Sequence, residues 1–117
     1  IDGLALLKMN VLHMTLLNAN DFTFQTRSHP ELWKEGALDP ANTYPMDGLA
    51  KLVQYGASRG VLVLLEMDTP GHSYAWGVSP TYSWMTTCHS PIEVYQSWPN
   101  CPEPPCGYMQ LGNKSVQ

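Results

Sequence analysis

Val11 to Leu17 is a run of apolar and β-prone residues bounded by Asn10 and Asn18, short enough to be a buried strand. Further on, Leu49, Leu52, Val53 and Ala57 recur at i, i+3, i+4 and i+8, which predicts a helix with one apolar stripe. Gly48 and Gly56 inside it each cost about 1 kcal/mol relative to Ala, so the helix must depend on packing. Arg59 and Gly60 read as its end, a cation in the last turn and a left-handed cap. Val61 to Leu65 is uninterrupted aliphatic sequence that turns polar at Glu66, Met67 and Asp68, the pattern of a parallel strand covered on both faces. Ahead of these, Ile1, Leu4 and Ala5 fall at helical spacing and continue into Lys8, as in the tail of an amphipathic helix whose beginning lies outside the chain. After Trp76 the periodicity stops, and a stretch rich in Pro, Ser, Cys and aromatics reads as one long loop.

Strand, helix and strand with a crossover of this length make a βαβ unit, whose parallel sheet needs partners on both edges. Two strands do not complete such a sheet, and unpaired edges are aggregation templates. A full (β/α)8 barrel takes about 250 residues, so the expected fold class is α/β, less than half of one barrel. The predicted organisation is a fragment of one domain over 1–117, with a βαβ portion at 1–72 and a long loop at 73–117.

Composition narrows the partners. Six Lys plus Arg against ten Asp plus Glu, without a basic cluster, leave no electrostatic footprint for nucleic acid or an anionic membrane. The apolar runs are far shorter than the roughly 20 residues a membrane span requires. Ile1, Asp2 and Gly3 lack the initiator Met and charged leader of a signal peptide, and the chain is expected to begin in the middle of something larger.

Candidate chemistry collects at the carboxyl ends of the two strands, where α/β enzymes place their sites. With period two, Leu62, Leu64, Glu66 and Asp68 share one face, and Thr69-Pro70-Gly71-His72 forms a turn that folds an imidazole back over it. The first strand finishes there too, at Asn18, Ala19, Asn20 and Asp21. A polar rim of Asn18, Asp21, Glu66, Asp68 and His72 suits a site that binds hydroxyls and orients a proton carrier. A plainer reading stands beside it, in which the strand-end carboxylates accept hydrogen bonds from loop amides. His13, within an apolar strand, reads as a satisfied core histidine rather than a ligand. No ligand pair has the tight spacing of a zinc motif, so neither metal nor cofactor is expected. Trp76, Tyr82, Trp84, Tyr95 and Trp98 fit either a sugar-stacking wall or loop packing.

Three strings carry a resemblance: Lys8-Met9-Asn10-Val11-Leu12-His13, Arg27-Ser28-His29-Pro30-Glu31-Leu32-Trp33 and Arg59-Gly60-Val61-Leu62-Val63-Leu64-Leu65-Glu66-Met67-Asp68-Thr69-Pro70-Gly71-His72. In order and spacing they resemble the catalytic barrel of the β-N-acetylhexosaminidases, glycoside hydrolase family twenty. Cys101-Pro102-Glu103-Pro104-Pro105-Cys106-Gly107 resembles the loop that follows in that family. The resemblance implies a partial TIM (β/α)8 barrel and a retaining, substrate-assisted hydrolase of terminal N-acetylhexosamine. There the substrate's acetamido oxygen attacks the anomeric carbon, a Glu protonates the leaving oxygen and a neighbouring Asp steadies the acetamide. That Asp-Glu pair, and the Arg that holds the sugar hydroxyls, are expected outside this chain.

By the same resemblance His72 is the histidine that bonds to the catalytic Glu; His13, Asp21, Glu66 and Asp68 are expected in the substrate-site wall beside it. Several positions depart from the family pattern. His13-Met14-Thr15 stands for His-Trp-His, Asn18-Ala19 for Asp-Asp, Asp21-Phe22-Thr23 for Ser-Phe-Pro, and Leu65 for a Pro. An amide at Asn18 accepts a hydrogen bond but cannot stabilise an imidazolium by charge, so the relay through His72 is expected to be weaker. Asp21, three residues on, is the nearest carboxylate to replace the lost charge. The alternatives are a degenerate, non-catalytic glycan-binding relative or an inactive truncated fragment.

Cys101 and Cys106 flank three prolines and are expected to form a local disulfide, leaving Cys88 over. Asn113-Lys114-Ser115 is an N-glycosylation sequon. With the resemblance, these imply a lysosomal, vacuolar or secreted setting. The partners expected are N-acetylhexosamine-terminated glycans, with a homo-oligomer of the parent protein as the assembly to look for.

Overall fold

A computed structural model of the chain describes residues 1–90 and 106–117. Its centre is the predicted βαβ unit. Strand β1 (Val11–Asn18) pairs in parallel with β3 (Leu62–Met67), from Val11 opposite Leu62 to Leu17 opposite Met67. Helix α3 (Met46–Ser58) makes the crossover. A two-residue strand β2 (Asp21–Phe22) adds antiparallel to the end of β1, so the sheet order is β2-β1-β3. The described residues form this mixed sheet with its helices and no closed barrel.

The crossover helix ends as Arg59 and Gly60 predict. Gly60 takes φ +72, its N–H bonds to the Ala57 carbonyl, and the Val61 N–H reaches back to Gly56, which together make a Schellman cap. The apolar stripe is narrower than expected. Leu49 and Gly56 are buried and Leu52 half-buried, whereas Val53 and Ala57 face outward. Gly56 explains why: a Cβ there would stand 2.6 Å from the Val61 carbonyl oxygen and 2.9 Å from Val63 Cγ2. The helix lies on the strand through its glycine, so this residue is a requirement of packing and not merely a propensity cost.

Helix α1 (Asp2–Leu6) is a single short turn, secured to α3 from outside. The Tyr55 hydroxyl donates to the Asp2 carboxylate at 2.7 Å, and Arg59 Nε lies 3.1 Å from the same group. Between Pro30 and Pro40 the chain also forms a helix that the periodicity does not announce, α2 (Glu31–Gly36), with Glu31 in its first turn and Lys34 in its last to complement the dipole. Gly36 is again a contact point, 2.6 Å from the Ala75 carbonyl oxygen if it carried a Cβ.

The core sits at the carboxyl end of the sheet. Leu17, Phe22, Leu32 and Ala75 are buried together, with Phe24, Trp33, Trp76 and Tyr82 packed around them. The rest of the sheet is covered on one side only. Leu12, Met14, Val63 and Leu65 face α3 and are half-buried, while Val11, Leu62 and Leu64 are 45%, 64% and 49% exposed on the other side. The expectation of a strand covered on both faces therefore fails within these residues, because nothing among them packs on the second face.

The expected loop over 73–117 is also more ordered than its composition implies. Two 3-10 turns, Tyr74–Gly77 and Ser83–Met85, lead into a two-stranded antiparallel sheet of β4 (Thr86–Ser90) and β5 (Cys106–Met109). Gly107 permits it: a Cβ there would meet Tyr74 Cα at 2.6 Å. Tyr95, Trp98 and Cys101 lie outside the described residues.

Candidate active site

The polar residues gather on the open face of the sheet, at its carboxyl end. His13 Nε2 lies 2.6 Å from Glu66 Oε2, and the Thr15 hydroxyl donates to Glu66 Oε1 at 3.1 Å. One carboxylate from β3 thus bridges two side chains of β1. The His13 hydrogen bond, followed by that of Thr15, holds the Glu66 carboxyl below the ordinary carboxylate range, and Asp68 is close enough to act on it as well. His13 is satisfied, as expected, but not in a core: its side chain is 51% exposed on the same face as Glu66. Thr15 is the partner that sequence reasoning missed. Its register opposite Glu66 is the signal, visible once the two strands are paired.

A bulge places Asn18 on this face. The register of β1 against β3 slips between Thr15 and Leu17, so Leu16 and Leu17 are both buried and the exposed positions run Val11, His13, Thr15, Asn18. Strict alternation would have presented Leu17 instead. The Asn18 Oδ1 accepts from the neighbouring Ala19 N–H at 2.6 Å, so the amide caps its own chain. Asp21 is engaged elsewhere. Its Oδ1 accepts from the Leu38 N–H at 2.9 Å, tying β2 to the segment after α2. This is the plainer role of a strand-end carboxylate, and the replacement of the lost charge at Asn18 by Asp21 is not what the geometry offers.

His72 is presented by its backbone. Its φ of +54 lies in the left-handed region, costly for a residue with a Cβ. The flanking chain is clamped on both sides. Met109 N–H donates to the Pro70 carbonyl at 2.9 Å and Ser73 N–H to the Gly107 carbonyl at 3.0 Å, so β5 brackets the turn. Ser73 is fully buried, with its hydroxyl on the Gly71 carbonyl at 3.0 Å, and Ala75 N–H reaches the Ala19 carbonyl at 3.0 Å beyond the end of β1. The His72 side chain is exposed and has no hydrogen-bond or ion-pair partner among the described residues.

Of the aromatics, Trp76 packs edge-on against Phe22 at 5.2 Å between ring centroids, and Tyr82 lies against the same core. For these two, loop packing is the observed role. Trp84 is 41% exposed and bonds through Nε1 to the Thr81 carbonyl. Cys106 is buried and disulfide-bonded, whereas Cys88 is a free, exposed thiol.

Two cavities of about 240 and 450 Å3 share Arg27 and Met46 in their linings, and the larger begins at Phe24, just past β2. Among the described residues, no three His, Cys, Asp or Glu side chains converge as a metal site would require, and no helix is long and apolar enough to cross a membrane.

Comparison with known proteins agrees on one family. The model of "Glycosyl hydrolase family 20, catalytic domain" matches residues 1–117. The chain is 35% identical to Beta-hexosaminidase 3 of Arabidopsis thaliana over 95 residues, covering 80% of this chain and 18% of that protein. It is 34% identical over 110 residues to the "Chitooligosaccharidolytic beta-N-acetylglucosaminidase" of Ostrinia furnacalis, covering 93% and 17%. A solved structure described as "A Glycoside Hydrolase Family 20 beta-N-Acetylglucosaminidase" superposes with a TM-score of 0.74 at 25% identity, covering 98% of this chain and 27% of that one. The chain thus spans less than a fifth of the length of these curated relatives.

Proposed function

The chain belongs to the catalytic domain of glycosyl hydrolase family 20, and from that we propose that the protein carrying it removes terminal N-acetylhexosamine from glycans by substrate-assisted, retaining hydrolysis. On this reading the described residues are one sector of a TIM barrel, and the open face of β1 and β3 is part of its interior. The observation that carries the reading is His72, held in a left-handed conformation between β5 and the end of β3, beside a face lined by His13, Thr15 and Glu66. Strain held by surrounding structure is expected where a side chain must be presented to chemistry.

The roles divide by charge. A general acid needs a carboxyl raised toward the working pH, and Glu66 is moved the other way, so it stays ionised and fixes His13 and Thr15. No Asp in the 117 residues is followed directly by Glu. The proton donor to the leaving oxygen and the Asp that steadies the acetamide therefore belong to other residues of the protein. His72 serves as the partner of that donor, receiving its hydrogen bond and setting its protonation. By the family pattern, Asn18 occupies the position from which an Asp would hold His72, and an amide there would not stabilise an imidazolium by charge, so the relay is weaker. The disulfide at Cys106 supports a lysosomal, vacuolar or secreted setting.

The test is turnover of a chromogenic N-acetylglucosaminide by the full-length protein and its Asn18→Asp variant. Turnover is expected from both, with Asn18→Asp faster by up to the 10²–10⁴-fold typical of acid–base assistance. A second reading, glycan binding without turnover, is favoured by one observation, the Asn18 amide turned onto its own backbone. Saturable binding of N-acetylglucosamine with no turnover in either protein would establish it and overturn the first.

A further inference from the structure

We propose that the smaller of the two cavities, of about 240 Å3 between α2 and the start of α3, is a binding site for one anionic sugar, a hexose bearing a carboxylate or a sulfate ester. Its lining contains none of Asn18, Asp21, Glu66, Asp68 and His72. In a βαβ unit the chain between the carboxyl end of a strand and the next helix lies at that end of the sheet, so the cavity belongs to the end that carries His72. Two cations and one carboxylate are the charges in the lining. Arg27 makes no hydrogen bond or ion pair among the described residues. Lys34 Nζ rests over the Trp33 ring, 5.7 Å from its centroid, a cation–π contact that directs the ammonium toward the same space. Asp47 has Lys51 3.7 Å away, one turn along α3, which offsets its repulsion of an anion. In a chain of net charge −4, an unpaired Arg beside a second cation in a concave site selects negative ligands. The guanidinium carries donors only, in a planar fork that matches a carboxylate or sulfate.

The rest of the lining favours a sugar over a bare ion. Trp33 and Pro45 supply apolar surface for the carbon face of a ring, and Gln25 supplies an amide for its hydroxyls. The volume is below the roughly 300–1,000 Å3 of drug-sized pockets, which suits one ring and not a chain. The walls are fixed before any ligand arrives. Gln25 N–H donates to the Tyr44 carbonyl at 2.8 Å and Tyr44 N–H to the Thr23 carbonyl at 2.7 Å, so backbone joins the two sides of the cavity. Gln25 Nε2 donates to the buried Thr43 hydroxyl at 3.2 Å, which holds the amide and leaves its Oε1 as an acceptor. The Thr26 hydroxyl donates to the His29 carbonyl at 2.5 Å, closing the turn that leads from Arg27 into α2. Fixed walls lower the ordering cost of binding. The choice of a sugar rests on the glycan-processing reading above, whereas the choice of an anion rests on the charges alone.

Calorimetric titration of the full-length protein with methyl glucuronide, methyl glucoside 6-sulfate, neutral methyl glucoside and inorganic sulfate tests this. Saturable binding of one or both charged sugars is expected, about tenfold or more tighter than the neutral sugar or sulfate, and the one that binds identifies the anion. Arg27→Gln should weaken it about 10–100-fold, with Arg27→Lys between, since Lys keeps the charge and loses the fork. Added salt should weaken it too. Arg27 is exposed, so these variants should keep the wild-type urea midpoint and the wild-type turnover of a neutral chromogenic N-acetylglucosaminide. Binding untouched by both Arg27→Gln and Lys34→Gln would overturn the inference. So would inorganic sulfate binding as tightly as the charged sugars, which marks a site for a bare ion. Absence of binding by the wild-type protein would also overturn it, as when a carboxylate from another part of the protein fills the cavity. The outcome is separable from the catalytic reading: charged-sugar binding without turnover overturns only the latter, and turnover without such binding only the former.

Discussion

Glu66 shows how one side chain acquires its role from neighbours the sequence places 51 and 53 positions away. Because His13 and Thr15 favour its ionised form, its carboxyl titrates below the ordinary range in the folded protein. The sign follows. Its contribution to stability is complete above the ordinary carboxylate range and is lost as pH falls through the lowered value. In the full-length protein, Glu66→Gln is therefore expected to flatten the acid limb of a plot of urea midpoint against pH, and His13→Ala to remove most of the same dependence. An unchanged acid limb in both would show that the bridge is too solvent-exposed to matter. His72 makes a complementary case. Since its φ of +54 suits glycine, His72→Gly should leave the urea midpoint unchanged or raise stability by up to about 1 kcal/mol. Turnover should fall by about 10²–10⁴-fold in the same variant. The two readouts together separate a residue kept for chemistry from one kept for folding.

At the scale of elements, the glycines decide what the helices do. Gly3 has nothing within 4 Å of a Cβ, whereas Gly56 would drive one into the Val61 carbonyl. Propensity alone predicts that Ala stabilises both helices by about 1 kcal/mol. Packing predicts opposite signs. Gly3→Ala should raise the denaturation midpoint, and Gly56→Ala should lower stability by about 1–3 kcal/mol, the cost of overpacking a close contact. Equal gains in both would show that α3 shifts freely on β3. The long helix, its cap and both parallel strands were legible because their apolar spacing and the Arg59-Gly60 ending are local signals. Helix α2 and the β4–β5 pair were not. Six residues carry too little periodicity, and strands separated by Pro-rich chain are defined by pairing and not by composition. The bulge at Leu16 was equally hidden, since only the register against β3 reveals it.

For the molecule as a whole, the open inner face governs behaviour. The radius of gyration is 16.3 Å, against about 13 Å for a compact chain of this length. Leu62 and Leu64 of β3 are each about half or more exposed, beside the polar bridge of His13, Thr15 and Glu66. A parallel sheet with this face and its edges uncovered is an association surface. The 117-residue chain produced alone is therefore expected to elute from size exclusion as oligomer or aggregate, and the full-length protein as a defined species. A sharp monomer peak from the isolated chain would refute this. What is well packed lies at the carboxyl end of the sheet, where Leu17, Phe22, Leu32 and Ala75 support the end of β1 and the turn that carries His72. Stability is thus concentrated beneath the candidate site.

The amino-acid sequence by itself determined the βαβ unit, its parallel strands and the kinds of side chain at their carboxyl ends. These follow from periodicity, caps and strand alternation, which act over a few residues at a time. It also carried the family, because the Glu66 to His72 string and its upstream companions are read as order and spacing. Tertiary structure alone decided how those side chains are used. It joined Glu66 to His13 and Thr15, directed Asp21 to Leu38, turned Asn18 toward the open face through a bulge, and held His72 in a strained conformation between β5 and β3. Each depends on contacts between residues distant in the chain, whose geometry is set by strand register and close glycine packing, and neither is written in local pattern.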